Sequence, residues 1–285
     1  MATIAVVTDS SACLPPALAA EHGIAVVPLA MLVDGELFHD GALSSDDFYA
    51  RLEAARKPPT TTSAAPGEFL EAFRAAHAAG SREVLCLTLS SRYSGTHSSA
   101  VNAGKMAAAE LPDLRVEVVD TGGIAMTHGF AVLAAARAAR GGGSLDDAAA
   151  AARRVGEAAH LVGALATTRY LAKSGRVPWI VHWAASALRI KPVLASNGNG
   201  VGAVGRARTP AQANARLLRY VDQKPHGAPL HVAVMHAAAP ARAEELAALV
   251  KERFAPAELL VTEFTAVMGI HTGPGFVGLA FYSGG

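Results

Sequence analysis

This chain is poor in cysteine, in aromatic side chains and in charge. Two of its 285 residues are cysteines, Cys13 and Cys86, too few for a disulfide framework. Charged residues make up 17% of the chain, and the formal net charge is +1. The arginines are dispersed, and a group such as Arg206 and Arg208 is too small for a phosphate-tracking groove, so no nucleic-acid partner is expected. No run of ~18 uncharged apolar residues occurs, so no helical membrane span is expected. Met1-Ala2-Thr3-Ile4 carries no basic leader and passes directly into strand-like residues; a soluble, cytoplasmic protein is expected.

Several sharp motifs are also missing. There is no Gly-x-x-x-x-Gly-Lys-Ser/Thr loop, hence no P-loop, and no Gly-x-Ser-x-Gly elbow around Ser94 or any other serine. Gly200-Val201-Gly202-Ala203-Val204-Gly205 does fit Gly-x-Gly-x-x-Gly. It follows a turn and precedes Arg206-Ala207-Arg208 instead of opening a helix, and Asp222 comes after a helix, so the context argues against a dinucleotide site. His226, His231 and His236 are five apart; odd spacing on a strand alternates faces, so they cannot share a metal. No metal and no cofactor is expected.

What the chain has is apolar residues, 51% of the total, enough for a substantial core. Many are alanines in runs such as Ala72–Ala79, Ala134–Ala139 and Ala148–Ala152, which favour helix. Strand-like runs (Ile4–Val7, Ile24–Val33, Val84–Leu89, Arg115–Asp120) alternate with helix-like runs, which predicts crossover connections and a largely parallel sheet. Ser44 and Ser144 each precede an aspartate by three residues, a capping pattern that opens a helix. Beyond Gly141-Gly142-Gly143 the pattern is less regular, and Asn197-Gly198-Asn199-Gly200 marks a hairpin, so a mixed sheet is expected there. The reading is an α/β protein of two domains: residues 1–150 with a parallel sheet flanked by helices, and residues 151–285 with a mixed sheet and helices.

Four polar loops each follow an apolar run, which is where ligands bind in open α/β sheets. Thr8-Asp9-Ser10-Ser11 reads as a helix cap. Ser90 to Thr96 is a hydroxyl-rich turn with Gly95 that opens a helix, and it offers backbone N–H groups and a positive dipole end to an anion. Thr60-Thr61-Thr62-Ser63 is a Ser/Thr turn. Met268 to Gly275 places His271 in a glycine-rich loop between two strands, where an imidazole can steady a carboxylate. No nucleophile with an evident base stands out, and no catalytic residue is assigned.

In this order these loops resemble those of the DegV family. Thr8-Asp9-Ser10 with Leu14-Pro15, Val27-Pro28-Leu29, Pro59-Thr60-Thr61-Thr62 and Ser90 through Thr96 match its first segments. Ser174-Gly175-Arg176-Val177, Lys191-Pro192-Val193-Leu194, and Gly269, His271, Gly273, Pro274 and Gly275 match its later ones. Thr62 stands for the usual serine, Ser63 for a glutamine, Tyr93 for a leucine, His97 for a tyrosine and Ser174 for a glycine.

The resemblance implies a two-domain α/β protein that holds a long-chain fatty acid, about C14 to C18, in a buried apolar slot. It would present the carboxylate to a separate ATP-binding fatty acid kinase subunit, an activity that feeds phospholipid synthesis. It implies Thr61, Thr62, Ser94, Gly95 and His271 as carboxylate ligands, with Arg176 and Arg206 facing the partner or the acyl phosphate. Each buried methylene contributes about 0.8 kcal/mol, so an acyl chain can supply the affinity, provided its carboxylate is hydrogen-bonded. The rival expectations are a stand-alone enzyme acting on an acyl or phosphorylated substrate and a lipid sensor without a kinase.

Overall fold

The computed structural model describes residues 4–181, 191–196, 200–224, 227 and 229–284. Two compact units divide the chain. The first comprises residues 1–31 and 61–157, the second residues 32–60 and 158–285.

The first unit is built on strands β1 (Ile4–Asp9), β2 (Ile24–Val27), β6 (Glu83–Thr88) and β7 (Arg115–Asp120). They form one parallel sheet in the order β2–β1–β6–β7, with Val6 opposite Ile24 and Leu85. Helices α1 (Pro16–Glu21), α3 (Pro66–Ala78) and α4 (Thr96–Glu110) lie in the connections between its strands, and α5 (Met126–Arg140) and α6 (Leu145–Ala158) follow its last strand in sequence. The single apolar run Ile24–Val33 is interrupted at Pro28-Leu29, after which β3 (Ala30–Val33) begins. A strand interior does not tolerate a residue without an N–H donor. Ser144 caps α6 as its spacing predicts, its hydroxyl accepting from the Asp147 N–H at 3.2 Å.

Helix α5 is buried nearly all round, which marks it as an interior helix. Gly129 lets it approach the chain just beyond β1: a Cβ there would lie 2.6 Å from the Ala12 carbonyl oxygen. This close approach brings His128 to the end of β1.

Strands β8 (His160–Ala164), β9 (Lys191–Ser196), β10 (Val201–Ala207), β11 (Leu230–His236), β12 (Glu258–Glu263) and β13 (Val277–Ser283) make the mixed sheet of the second unit. Its order is β10–β9–β8–β13–β11–β12, with only β11 and β12 parallel. Helices α7 (Arg169–Ser174), α8 (Pro210–Asp222), α9 (Pro240–Phe254) and α10 (Ala266–Thr272) accompany it. Gly200 of the Gly-x-Gly-x-x-Gly string immediately precedes β10, and Val201 to Gly205 lie in that strand, paired antiparallel to β9, and open no helix; the turn residues 197–199 and His226 fall outside the described residues.

Strands β3, β4 (Glu36–His39) and β5 (Thr60–Thr62) form a small sheet in the order β4–β3–β5. Thr60–Thr62 is thus extended, not a free turn. The division near residue 150 falls inside α6, and residues 32–60 belong with the second unit. Side-chain contacts explain the latter. Helix α2 (Ser45–Ala54) donates the Ser45 hydroxyl to Glu263 at 2.6 Å, and Asp40 accepts the Val267 N–H at 3.1 Å.

Candidate ligand-binding site

In the first unit the carboxyl ends of β1, β6 and β7 carry Thr8-Asp9, Thr88-Leu89 and Asp120-Thr121. Asp9 is fully buried. Its Oδ1 accepts from the Ser11 N–H at 3.0 Å and the Ser11 hydroxyl at 2.5 Å; its Oδ2 accepts from the Leu89 N–H at 2.9 Å. The Nε2 of His128, equally buried, lies 3.6 Å from the carboxylate. Burial alone would raise the Asp9 pKa, but His128, the Ser11 hydroxyl and the Leu89 N–H outweigh it and hold the carboxyl below its ordinary value. Thr8 Oγ1 also meets His128 Nε2, at 3.0 Å. These groups resemble a hydroxyl–imidazole–carboxylate cluster, but none has an exposed surface through which a substrate could reach it. Burial and the Asp9 charge push the nearby Cys86 thiol well up, so it is no thiolate nucleophile.

The turn that follows Leu89 is tied down residue by residue. Ser90 N–H donates to the Gly123 carbonyl at 2.9 Å and Ser91 N–H to Asp120 Oδ2 at 3.0 Å. The Ser94 and Thr96 hydroxyls are 2.8 Å apart, and Thr88 Oγ1 meets His97 Nδ1 at 3.1 Å. Gly95 precedes the first residue of α4 and brings no side-chain cap, and a Cβ on it would lie 3.7 Å from Ser63 Oγ. The unit therefore brings the Thr61–Ser63 segment alongside Ser94 and Gly95. Thr61 is half-buried and Thr62 exposed. The Tyr93 hydroxyl is buried with no hydrogen-bond partner among the described residues.

In the second unit His271 occupies the last turn of α10, not a loop between strands as its glycine-rich surroundings suggest. Burial, and after it the Arg176 charge, pull its imidazole down to about 4, so it is neutral near pH 7 and can still donate one hydrogen bond. The Thr265 and Thr272 hydroxyls on either side are buried without partners among the described residues. The loop after α10 is sharply shaped, with Gly273 and Gly275 at φ +70° and +84°, and Tyr170 of α7 packs where a Gly273 side chain would be. Arg242 of α9 holds this loop by donating to the Gly275 carbonyl at 2.7 Å. Arg176 donates to the Ser174 carbonyl at 2.8 Å, and Arg206 is exposed on the edge strand β10.

These elements recur in a known family. Residues 3–284 match the model of the family described as "Uncharacterised protein, DegV family". The chain belongs to the DegV family. A DegV domain-containing protein of Streptomyces coelicolor is 38% identical to it over 98% of both chains. The fatty-acid-binding DegV family protein of Thermus thermophilus superposes with a TM-score of 0.89 at 30% identity, covering 99% of each chain. DegV of Bacillus subtilis, a fatty-acid-binding protein, gives 0.86 at 25% identity over the full length of both.

Sequence reasoning passed over His128, a lone histidine in an apolar helix of this DegV chain, and Arg242. The available signal for His128 was Gly129, a glycine inside a long helix, which marks close approach of backbone.

Proposed function

We propose that this chain binds one long-chain fatty acid, about C14 to C18, and presents its carboxylate to a separate ATP-binding fatty acid kinase subunit. The observation that carries the reading is the full-length likeness to the fatty-acid-binding relative from Thermus thermophilus. In this reading Thr61, Thr62, Ser94, Gly95 and His271 are the carboxylate ligands. A neutral histidine suits the role, since it donates a hydrogen bond without needing a proton at physiological pH. The buried, partnerless hydroxyls of Tyr93, Thr265 and Thr272 support a ligand that carries acceptors.

The dispersion of arginines along the chain conceals a bias of sign. Between Glu157 and Asp222 the sequence carries nine of the chain's 25 arginines and lysines and none of its 24 acids. Arg206, Arg208, Arg216 and Arg219 are exposed on and beside the edge strand β10. Such a surface suits an anionic counterpart, and we assign Arg206, with Arg176, to contact with the kinase or the acyl phosphate. Phosphoryl transfer belongs to the partner, in the cytoplasm where ATP is supplied, and the chain turns over nothing alone. Among the described residues no helix is long and apolar enough to cross a membrane.

The test is to denature the protein as purified from bacteria and extract it for mass spectrometry of small acids. A stoichiometric C14 to C18 acid is expected. An empty protein that also takes up neither palmitate nor oleate overturns the reading. Given binding, Ser94→Ala and His271→Ala should each weaken palmitate about tenfold, as loss of a hydrogen bond to a charged group does.

A further inference from the structure

Burying an aspartate beside a histidine is costly, and apolar residues of similar volume often serve stability as well or better. What Asp9 and His128 hold supplies another reason for their presence. Asp9 Oδ2 accepts the Leu89 N–H at 2.9 Å. His128 Nδ1 meets Thr121 Oγ1 at 3.0 Å, and that hydroxyl donates to the Thr88 carbonyl at 3.0 Å. Because the threonine proton goes to the carbonyl, its lone pair accepts from the imidazole N–H. The Thr88 carbonyl and the Leu89 N–H are the two polar ends of one peptide group. The pair therefore grips both ends of the last peptide before the Ser90–Thr96 turn, Asp9 directly and His128 through Thr121. The same threonine's backbone N–H adds a third hold on this peptide group, donating to the Thr88 carbonyl at 3.2 Å. At the far side of the turn, the Thr88 hydroxyl meets His97 in the first turn of α4.

We propose that Asp9 and His128 are positioning residues: by fixing the plane of the Thr88–Leu89 peptide they aim Ser94 and Gly95 at the ligand's carboxylate. The inference rests on the reading that this turn binds the carboxylate. A fixed turn meets the ligand already ordered, so less affinity is lost in ordering it on binding. Loosening the peptide should therefore weaken recognition of the head group and leave the acyl chain's contribution untouched.

The experiment compares affinities for palmitate and for hexadecanol, which share a chain and differ in the head group. Thr121→Val removes the link from His128 to Thr88 at nearly constant volume, and Asp9→Asn alters the other grip. If Asp9→Asn fails to fold, Thr121→Val carries the test, with its folding checked by thermal melting. The palmitate-to-hexadecanol ratio should fall roughly five- to tenfold, with hexadecanol affinity unchanged. An unchanged ratio, or equal weakening of both ligands as a merely structural role would give, overturns the proposal. Ser94→Ala separates the two levels. If its ratio falls while that of Thr121→Val and Asp9→Asn does not, the positioning inference fails alone. If Ser94→Ala keeps the wild-type ratio, the carboxylate reading fails and takes the inference with it.

Discussion

The two units finish their sheets with opposite polar chemistry. At the carboxyl ends of β1, β6 and β7 the buried polar side chains satisfy one another: Thr8, Asp9, Ser11, Thr121 and His128 all have partners within the unit. Around α10 the buried Thr265 and Thr272 hydroxyls have none among the described residues, and the His271 imidazole is held neutral by desolvation. A satisfied network keeps its geometry unaided, and losing one member strands the rest. Hydroxyls without partners, such as those of Thr265 and Thr272, add little to stability.

The largest effect that follows is on stability. Asp9→Ala or His128→Ala should cost about 3–5 kcal/mol in urea denaturation, because each leaves a buried ionisable partner uncompensated. Thr272→Val should cost almost nothing. An Asp9→Ala variant within 1 kcal/mol of wild type would break the contrast.

Acid separates the regions next. The unfolded chain protonates His271 near 6.5, whereas the folded imidazole resists until about 4. Below 6.5 the unfolded state therefore binds more protons, so stability is whole above that value and falls toward pH 4, by on the order of 3 kcal/mol for this residue. Asp9 works in a lower window. Its folded pKa lies below the ordinary 3.8, so its contribution is intact above 3.8 and is lost as pH falls further through the folded value. His160 and His236, also held down by burial, add to the upper limb. His271→Asn should flatten that limb in part and leave the lower one unchanged. An unaltered slope between pH 6.5 and 4 would show that His271 is not desolvated in the folded protein.

Smaller effects should distinguish hydroxyls by their partners. Thr121→Val removes a hydroxyl that serves both the Thr88 carbonyl and His128, and a loss of about 1–3 kcal/mol is expected. Tyr93 is the exception within the first unit, since its buried hydroxyl has no partner among the described residues. Tyr93→Phe should leave the ligand-free protein unchanged or stabilise it by up to about 1 kcal/mol, measured by thermal melting. A loss would place a partner on that hydroxyl and narrow the contrast between the regions.

The parts of this picture legible in the sequence are those that rest on local rules. Ser44 and Ser144 announce helix starts, and strand–helix alternation announces a parallel sheet. The parts that were not legible depend on contacts far along the chain. Gly269 made its segment look like a loop, yet the residue lies inside α10 and is small for packing: a Cβ there would collide with the Tyr49 hydroxyl of α2. That contact is also why residues 32–60 travel with the second unit, which no composition shift signals. Gly205 is a similar case, a strand residue over which the Arg216 side chain lies, so its place in a Gly-x-Gly-x-x-Gly string carries no phosphate. Asp9 looked like a simple cap, and it is one for the short turn Ser10–Ala12; that it also reaches Leu89 depends on β1 lying beside β6.

The smallest predicted effect bears on how the rigid region holds its shape. Ala125, just before α5 and fully buried, has φ +50° and ψ −140°, a conformation that a side chain disfavours by about 1–3 kcal/mol. Glycine adopts it freely. Ala125→Gly gives up the burial of one methyl, about 0.8 kcal/mol, and a comparable amount of unfolded-chain entropy. The relieved strain should roughly match or slightly exceed that sum, for a net change between zero and about 1 kcal/mol of stabilisation. Strain survives where surrounding structure over-determines the backbone, and here the neighbouring holds are the Gly123 carbonyl on Ser90 and His128 on Thr121. If those holds set the loop, Ala125→Gly should raise the melting temperature slightly in the wild-type background and do less in Thr121→Val, where the backbone is already free to relax. Equal gains in both backgrounds would mean that the strain comes from the packing of α5 alone and owes nothing to the polar network.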